Sequence, residues 1–102
     1  MTNPLLKGLS PTHPGETLRE DVLPAIGRPK AEIARLLQVS RQTLYDILSE
    51  KNPVTPAMAL RIAKLTGTSP ESWVNMQRNY DLRVEAEKGA AVLAEIPTLE
   101  FA

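Results

Sequence analysis

The feature that most constrains this chain is a pair of short helical stretches joined by a turn of about three to four residues, between Lys30 and Leu48. Apolar residues have the spacing i, i+3 and i+4 in both stretches. They are Ile33, Leu36 and Leu37 in the first and Leu44, Ile47 and Leu48 in the second. Helices joined this tightly cannot lie antiparallel and must cross at a steep angle. The segment therefore predicts a helix-turn-helix.

The residues of the turn favour the same interpretation. Ser40 is a good N-cap for the second helix, because its hydroxyl can accept from a free backbone N–H. Ala34 is small enough for the second helix to approach the first, and Val39 is placed to fill the corner between them.

Three more helices are predicted around this pair. The first covers Glu16 to about Ile26, where Pro24 should kink the helix or end it near Leu23. The next begins at Thr55-Pro56 and continues to Gly67, and the last begins at Ser69-Pro70 and stops near Gly89. Helical spacing places Trp73, Met76 and Tyr80 on one face, which we interpret as core rather than a ligand box.

The length of 102 residues suits one domain, and the few aromatic residues favour packed helices over a β-sandwich. We predict an all-α fold with an extended lead-in over residues 1–14, a five-helix domain over residues 15–88 and a C-terminal tail over residues 89–102. The apolar and acidic composition of the tail fits a strand, a helical extension or disorder equally well.

Cysteine is absent from the sequence, so no disulfide or thiolate metal site is expected, which fits a reducing cytosol. Neither a signal peptide nor an apolar run of the roughly 20 residues that span a membrane is recognisable. We therefore expect a cytoplasmic protein without a membrane partner.

Charge is unevenly distributed although the net charge is zero. The stretch from Arg28 to Lys64 contains seven basic and three acidic residues, whereas the stretch from Leu65 to Ala102 contains three basic and six acidic residues. A basic middle followed by an acidic tail is typical of nucleic-acid-binding proteins, although ordinary charge scatter gives the same pattern.

The outward face of the second helix carries residue types suited to reading bases in the major groove. Arginine pairs with guanine and glutamine with adenine, so Arg41 and Gln42 are the first candidates. Asp46 can accept from a cytosine amine, and Tyr45 offers a ring to a thymine methyl group. The alternative is a solvated helix face. Candidates for contacts with the DNA backbone lie at the helix edges: Lys30, Ser40, Thr43, Lys51 and Asn52.

The stretch from Ala34 to Leu44 resembles the helix-turn-helix of phage-repressor-like (Cro/C1, XRE) proteins. Further motifs narrow the resemblance to HigA-type antitoxins of bacterial toxin–antitoxin modules. These motifs are His13-Pro14-Gly15-Glu16, Thr55-Pro56-Ala57-Met58-Ala59-Leu60-Arg61-Ile62-Ala63, Thr68-Ser69-Pro70-Glu71-Ser72-Trp73, Met76-Gln77 and Asn79-Tyr80-Asp81-Leu82. Together they extend from about Thr12 to Arg83.

This resemblance implies a five-helix fold, a homodimer that often forms through the C-terminal region, and binding to a palindromic operator. It also implies neutralisation of a HigB-type toxin, a ribonuclease that cleaves mRNA. Base-reading positions of the family fall on Arg41, Gln42 and Asp46, and backbone-contacting positions fall on Lys30, Thr43 and Lys51. Many members have glycine where this chain has Gln38 and Glu50; if Gln38 requires a positive φ, glutamine costs about 1 kcal/mol or more.

Two alternatives remain at this point. A free-standing transcriptional repressor without a toxin partner would carry the same helix-turn-helix. An enzyme is disfavoured, because the sequence offers no catalytic set, no phosphate-binding loop and no metal-ligand spacing. The single histidine, His13, is better explained as a capping or packing residue. We expect no catalytic residue, cofactor or metal.

Overall fold

The computed structural model describes residues 11–101, and this part of the chain is all-helical, without a strand. A first helix, α1, covers residues 14–26. It is followed by α2 (Lys30–Leu37), α3 (Arg41–Leu48), α4 (Pro56–Thr66), α5 (Pro70–Lys88) and α6 (Ala90–Glu95). The predicted all-α architecture of five helices with a short C-terminal extension is confirmed, and α6 lies in that extension. Most of the predicted lead-in, residues 1–10, lies outside the described residues, and the predicted division of the chain stays a prediction.

Helix α1 continues past Pro24, where the sequence predicted a kink or an end near Leu23. Its α-helical turns at Pro14–Thr17 and Leu23–Ile26 flank a π-helical turn at Leu18–Val22. A proline ring clashes with the carbonyl four residues earlier in a regular α-helix. The widened turn lies directly before Pro24, and the helix then ends at Gly27, whose φ of 72° is left-handed.

Helix α1 also begins earlier than predicted, at Pro14 instead of Glu16. His13 is the N-cap, and its Nδ1 atom accepts from the backbone N–H of Gly15 at 2.9 Å. The ring is buried and lies edge-on to Tyr80, with 4.9 Å between the ring centroids. Burial lowers the pKa of His13, against the opposing effect of the Glu50 and Asp81 carboxylates. His13 therefore both caps and packs, as the sequence indicated.

Helices α3, α4 and α5 begin at the predicted N-caps, and α4 and α5 end at the predicted glycines. The hydroxyl groups of Ser40, Thr55 and Ser69 accept from the backbone N–H three residues later, at the starts of α3, α4 and α5. Gly67 follows α4 with a φ of 70°, and Gly89 follows α5. Each cap satisfies a backbone donor or acceptor that the helix itself leaves free.

One core joins α1 to α5. It contains the predicted inner residues of both helices of the helix-turn-helix, apart from Leu36, which is 42% exposed. The largest contributors are Leu18, Ile33, Leu37, Leu44, Ile47, Leu48, Met58, Ile62 and Trp73. Polar groups at the edge of this core are bonded: Arg61 Nη1 donates to the Leu37 carbonyl at 2.8 Å, and Gln77 Oε1 accepts from Val54 N–H at 2.8 Å. Helices α2 and α3 are thus held rigidly relative to the rest of the domain.

A close backbone approach joins α1 to α3. A Cβ atom on Gly15 would lie 1.9 Å from the carbonyl oxygen of Ile47. Only glycine fits at this contact, so the start of α1 can rest directly on the last turn of α3.

Candidate nucleic-acid interface

The outward face of α3 carries the four predicted base-reading residues. Arg41 and Gln42 are exposed, and Tyr45 is 45% exposed. Asp46 is half-buried on the same side of the helix. Because Leu44, Ile47 and Leu48 are buried on the opposite side, α3 is fixed by its apolar face and presents its polar face to solvent.

Two of these residues are bonded to each other. Gln42 Nε2 donates to Asp46 Oδ1 at 2.7 Å, across one turn of the helix. An amide group has two N–H donors and one carbonyl acceptor, so this bond leaves one of each for an adenine edge. Asp46 therefore orients Gln42 before any ligand binds, and its second oxygen remains for a base.

A shallow groove of about 500 Å³ brings several predicted residues together. It is lined by Gln42, Tyr45 and Asp46 from α3, with Lys30 and Lys51 from its flanks. Thr43 and Asn52 line a separate, smaller groove of about 210 Å³ beside α4. Arg41 and Ser40 line neither groove. The structure thus groups five of the nine predicted residues and leaves the other four around them.

The predicted backbone-contacting residues differ in how their side chains are used. Ser40 Oγ accepts from Thr43 N–H at 3.0 Å and donates to Thr43 Oγ1 at 2.8 Å, so its role in the free protein is capping. Lys30, Lys51 and Asn52 are exposed. Within residues 11–101, neither lysine is in an ion pair, which leaves both ammonium groups available to an anion.

Backbone strain occurs on both sides of α3, in the turn before it and directly after it. Gln38, in the turn, has a φ of 59°, and Glu50, after α3, has a φ of 65°. At both positions the family resemblance implies glycine in many related sequences. Gln38 does have the positive φ that makes glutamine costly there. A non-glycine residue in this conformation costs about 1 kcal/mol.

Arg19 is a residue of this surface that the sequence did not reveal. It extends from α1 into the groove that holds Gln42, Tyr45 and Asp46. Hydrogen bonds to the carboxylates of Glu20 and Glu50 raise its pKa. The available signal was a single basic residue within an acidic helix, but its partner at Leu48 is 29 positions away in sequence.

Among residues 11–101, no three His, Cys, Asp or Glu side chains are grouped as metal ligands. No helix in that range has both the length and the apolar character needed to cross a bilayer.

Comparisons with known proteins point to one family. A helix-turn-helix family model matches residues 18–73. Virulence-associated protein I of Dichelobacter nodosus is 35% identical over 85 residues, which are 83% of this chain and 79% of that protein.

Two solved structures are similar over most of both chains. Antitoxin GraA in complex with its operator has a TM-score of 0.83 and 34% identity, and the match covers 100% of this chain and 99% of GraA. Pseudomonas aeruginosa antitoxin HigA with the higBA promoter has a TM-score of 0.83 and 34% identity, over 88% of this chain and 99% of HigA. The resemblance to HigA-type antitoxins that the sequence motifs indicated is confirmed.

Proposed function

We propose that this chain, which belongs to the helix-turn-helix family, is a sequence-specific DNA-binding antitoxin that represses its own operon. The observation that carries the proposal is the capped helix α3, whose buried face fixes it and whose exposed face presents Arg41 and Gln42. No bond-making chemistry is required, because the activity is binding.

In this proposal α3 enters the major groove, with base contacts from Arg41, Gln42, Tyr45 and Asp46. Arg41 lies in the first turn of α3, where recognition helices contact base edges. Gln42, oriented by Asp46 at 2.7 Å, is prepared for an adenine edge. Each good bidentate pair would contribute about 1–3 kcal/mol of discrimination.

Backbone contacts in the proposal come from residues around α3. The exposed ammonium groups of Lys30 and Lys51 would bind phosphates on either side of the groove. Ser40, Thr43 and Asn52 lie at the edges of α3 and would add polar contacts. Such contacts set the register of the protein on DNA and carry no sequence information.

A homodimer is part of the proposal. Two copies related by a twofold axis would place two α3 helices in successive major grooves, about 34 Å apart. The C-terminal segment, residues 82–101, offers a surface for this association, because its large apolar side chains are exposed. These are Leu82, Val92, Leu93, Ile96, Leu99 and Phe101.

The toxin partner is the finer part of the proposal. Similarity to GraA and HigA over nearly the full chain supports an antitoxin, whose partner would be a HigB-type ribonuclease. The proposal places the protein in the cytoplasm, together with its operator and the proposed toxin.

Two assays test the proposal in order. First, in vitro selection from random duplexes, followed by a mobility shift with DNA from upstream of the coding sequence, tests sequence-specific binding. We expect a palindromic consensus that the upstream DNA contains; failure to enrich any sequence contradicts the DNA-binding role.

Second, the chain is co-expressed with the protein encoded beside it. A neighbour that arrests growth alone, is rescued by this chain and co-purifies with it supports the antitoxin role. A chain that shifts its upstream DNA but has no toxic neighbour is a free-standing repressor, which contradicts the toxin part of the proposal alone.

A further inference from the structure

The C-terminal end of α3 is held by a side chain from α1. Arg19 Nη1 lies 2.6 Å from the carbonyl oxygen of Leu48 and 3.4 Å from Glu50 Oε2. Arg19 Nε lies 3.0 Å from Glu20 Oε1, which fixes the guanidinium from its other side. One arginine therefore joins α1 to the last residue of α3 and to the turn that follows it.

Two kinds of contact hold this end of α3. The Asp46 and Ile47 carbonyls accept from backbone N–H groups of residues 50–52, whereas the Leu48 carbonyl accepts from Arg19. The last carbonyls of a helix have no partner within the helix, and the Leu48 carbonyl is one of them. Two residues later, Glu50 is held at a φ of 65°, which is unfavourable for any residue but glycine. The start of α3, by contrast, is capped locally by Ser40.

Arg19 also lies at the proposed reading surface. It lines the groove that contains Tyr45 and Asp46, the two candidates in the last turn and a half of α3. Its charge is opposed by two carboxylates, at 3.0 Å in Glu20 and at 3.4 Å in Glu50. A cation neutralised in this way is poorly suited to bind a phosphate, which needs an available positive charge.

We infer that Arg19 is a positioning residue for base recognition, which fixes the C-terminal half of α3 and so determines selectivity at the base pairs contacted from Tyr45 and Asp46. The inference rests on the proposed DNA-binding function. An exposed ion pair by itself contributes little to stability, so the effect of Arg19 lies in the geometry of α3.

The test uses the full-length chain, the duplex enriched by wild-type selection, and every single-base-pair variant of one half-site. Arg41→Ala and Asp46→Ala first mark the base pairs that depend on each end of α3. Binding is then measured for Arg19→Met, which keeps the apolar stem, and for Arg19→Lys, which restores a donor. Arg78→Met is the control, because Arg78 is also an exposed arginine but lies on α5, outside the reading surface and outside residues 82–101.

We expect Arg19→Met to lose about tenfold in discrimination at the base pairs marked by Asp46→Ala and to retain discrimination at those marked by Arg41→Ala. Arg19→Lys should show a smaller loss, about threefold, at the same base pairs, since a single ammonium group replaces only part of the fork. The dependence of affinity on salt concentration should stay unchanged in both variants, because no phosphate contact is lost. Arg78→Met should match the wild type throughout.

Three results would overturn the inference while the DNA-binding function stands. These are an unchanged base-pair profile, an equal loss on every duplex, and a fall of about one in the salt slope, which would make Arg19 a phosphate contact. If Arg19→Met does not fold, the profile of Arg19→Lys decides by the same criteria. A wild-type chain that enriches no sequence overturns the proposed function together with the inference.

Discussion

The two ends of this molecule treat their apolar side chains in opposite ways. In the helix-turn-helix half, residues 14–66, the inner side chains are almost fully buried, with Ile33, Leu44 and Ile62 each 1% exposed. In the C-terminal segment, residues 82–101, no residue is buried, and Leu93 and Phe101 are 54% and 92% exposed. The first half is specified by contacts within the chain, whereas the second leaves its large apolar side chains exposed.

This difference shows which parts of the fold depend on the chain alone. Burial of apolar area is the main favourable contribution to folding, so the first half has a strong internal reason to adopt one arrangement. Large exposed apolar patches are typical of interaction sites, and we propose that the exposed side chains of the C-terminal segment form one. Mutations should therefore affect stability in the first half and association in the second.

The largest expected effect comes from adding one methyl group to Gly15 in the first half, with the same change in the C-terminal segment as the control. Gly15→Ala would place a Cβ atom 1.9 Å from the Ile47 carbonyl oxygen, so we expect a loss of about 3 kcal/mol or more in the free energy of unfolding. Gly89→Ala is the matched control, since its nearest contact is Glu85 O at 3.1 Å. That variant should change stability by less than about 1 kcal/mol. Urea denaturation followed by circular dichroism measures the free energy of unfolding of both variants. Equal losses would contradict the proposed difference between the two regions.

Substitutions in the C-terminal segment should change the affinity of the dimer instead of the stability of the fold. Leu93→Ser combined with Ile96→Ser removes two exposed apolar side chains, and we expect the dissociation constant of the dimer to rise more than tenfold. Sedimentation equilibrium gives this constant. Leu60→Ser is the control, because Leu60 is also exposed, at 61%, but lies on α4. Should the double variant remain as dimeric as the control, the segment is not the dimer surface.

Protonation of His13 should make the stability of the first half depend on pH. Burial lowers its pKa from 6.5, so the unfolded chain takes up the proton at a higher pH than the folded chain does. Stability is then fully present above pH 6.5 and falls as the pH drops through the lower pKa of the folded state. We expect a loss of about 1 kcal/mol, comparable to a helix N-cap, because protonated Nδ1 cannot accept from Gly15.

The same denaturation series in His13→Asn isolates this effect. Asparagine can cap the helix without titrating, so the variant should lose the pH-dependent decline that is present in the wild type. An identical decline in both proteins would assign it to carboxylates elsewhere.

The smallest expected change is a gain. Gln38→Gly removes the strain of a φ of 59° and should raise the free energy of unfolding by about 0.5–1 kcal/mol. Glu50→Gly should gain less, because it also loses the contact with Arg19 at 3.4 Å. Thermal denaturation of the two variants beside the wild type ranks them; destabilisation by Gln38→Gly would show that its side chain contributes more than its conformation costs.

Local signals made most of the first half predictable from sequence. The apolar spacing and the cap at Ser40 were sufficient to place α2, the turn and α3, and serine or threonine before proline marked α4 and α5. These signals act within one or two turns of a helix, where sequence neighbours are also neighbours in space.

Features that depend on distant contacts were not predictable in the same way. The pairing of Arg19 with the Leu48 carbonyl and the contact of Gly15 with Ile47 depend on how α1 crosses α3. The π-helical turn before Pro24 replaced the expected kink, since a helix held by the core can widen instead of ending. The structure of the tail is not predictable from its composition, because none of its described residues, 89–101, is buried against the rest of the chain.

The most direct test of base reading by α3 compares Arg41→Ala with Lys51→Ala on the selected duplex and its single-base-pair variants, over a range of salt concentrations. We expect Arg41→Ala to lose about 1–3 kcal/mol of binding free energy and its preference at one base pair. We expect Lys51→Ala to bind all duplexes more weakly by the same factor and to lower the salt slope by about one. Full affinity and selectivity in Arg41→Ala, or a base-selective loss in Lys51→Ala, would contradict the assignment of α3 as the helix that reads DNA.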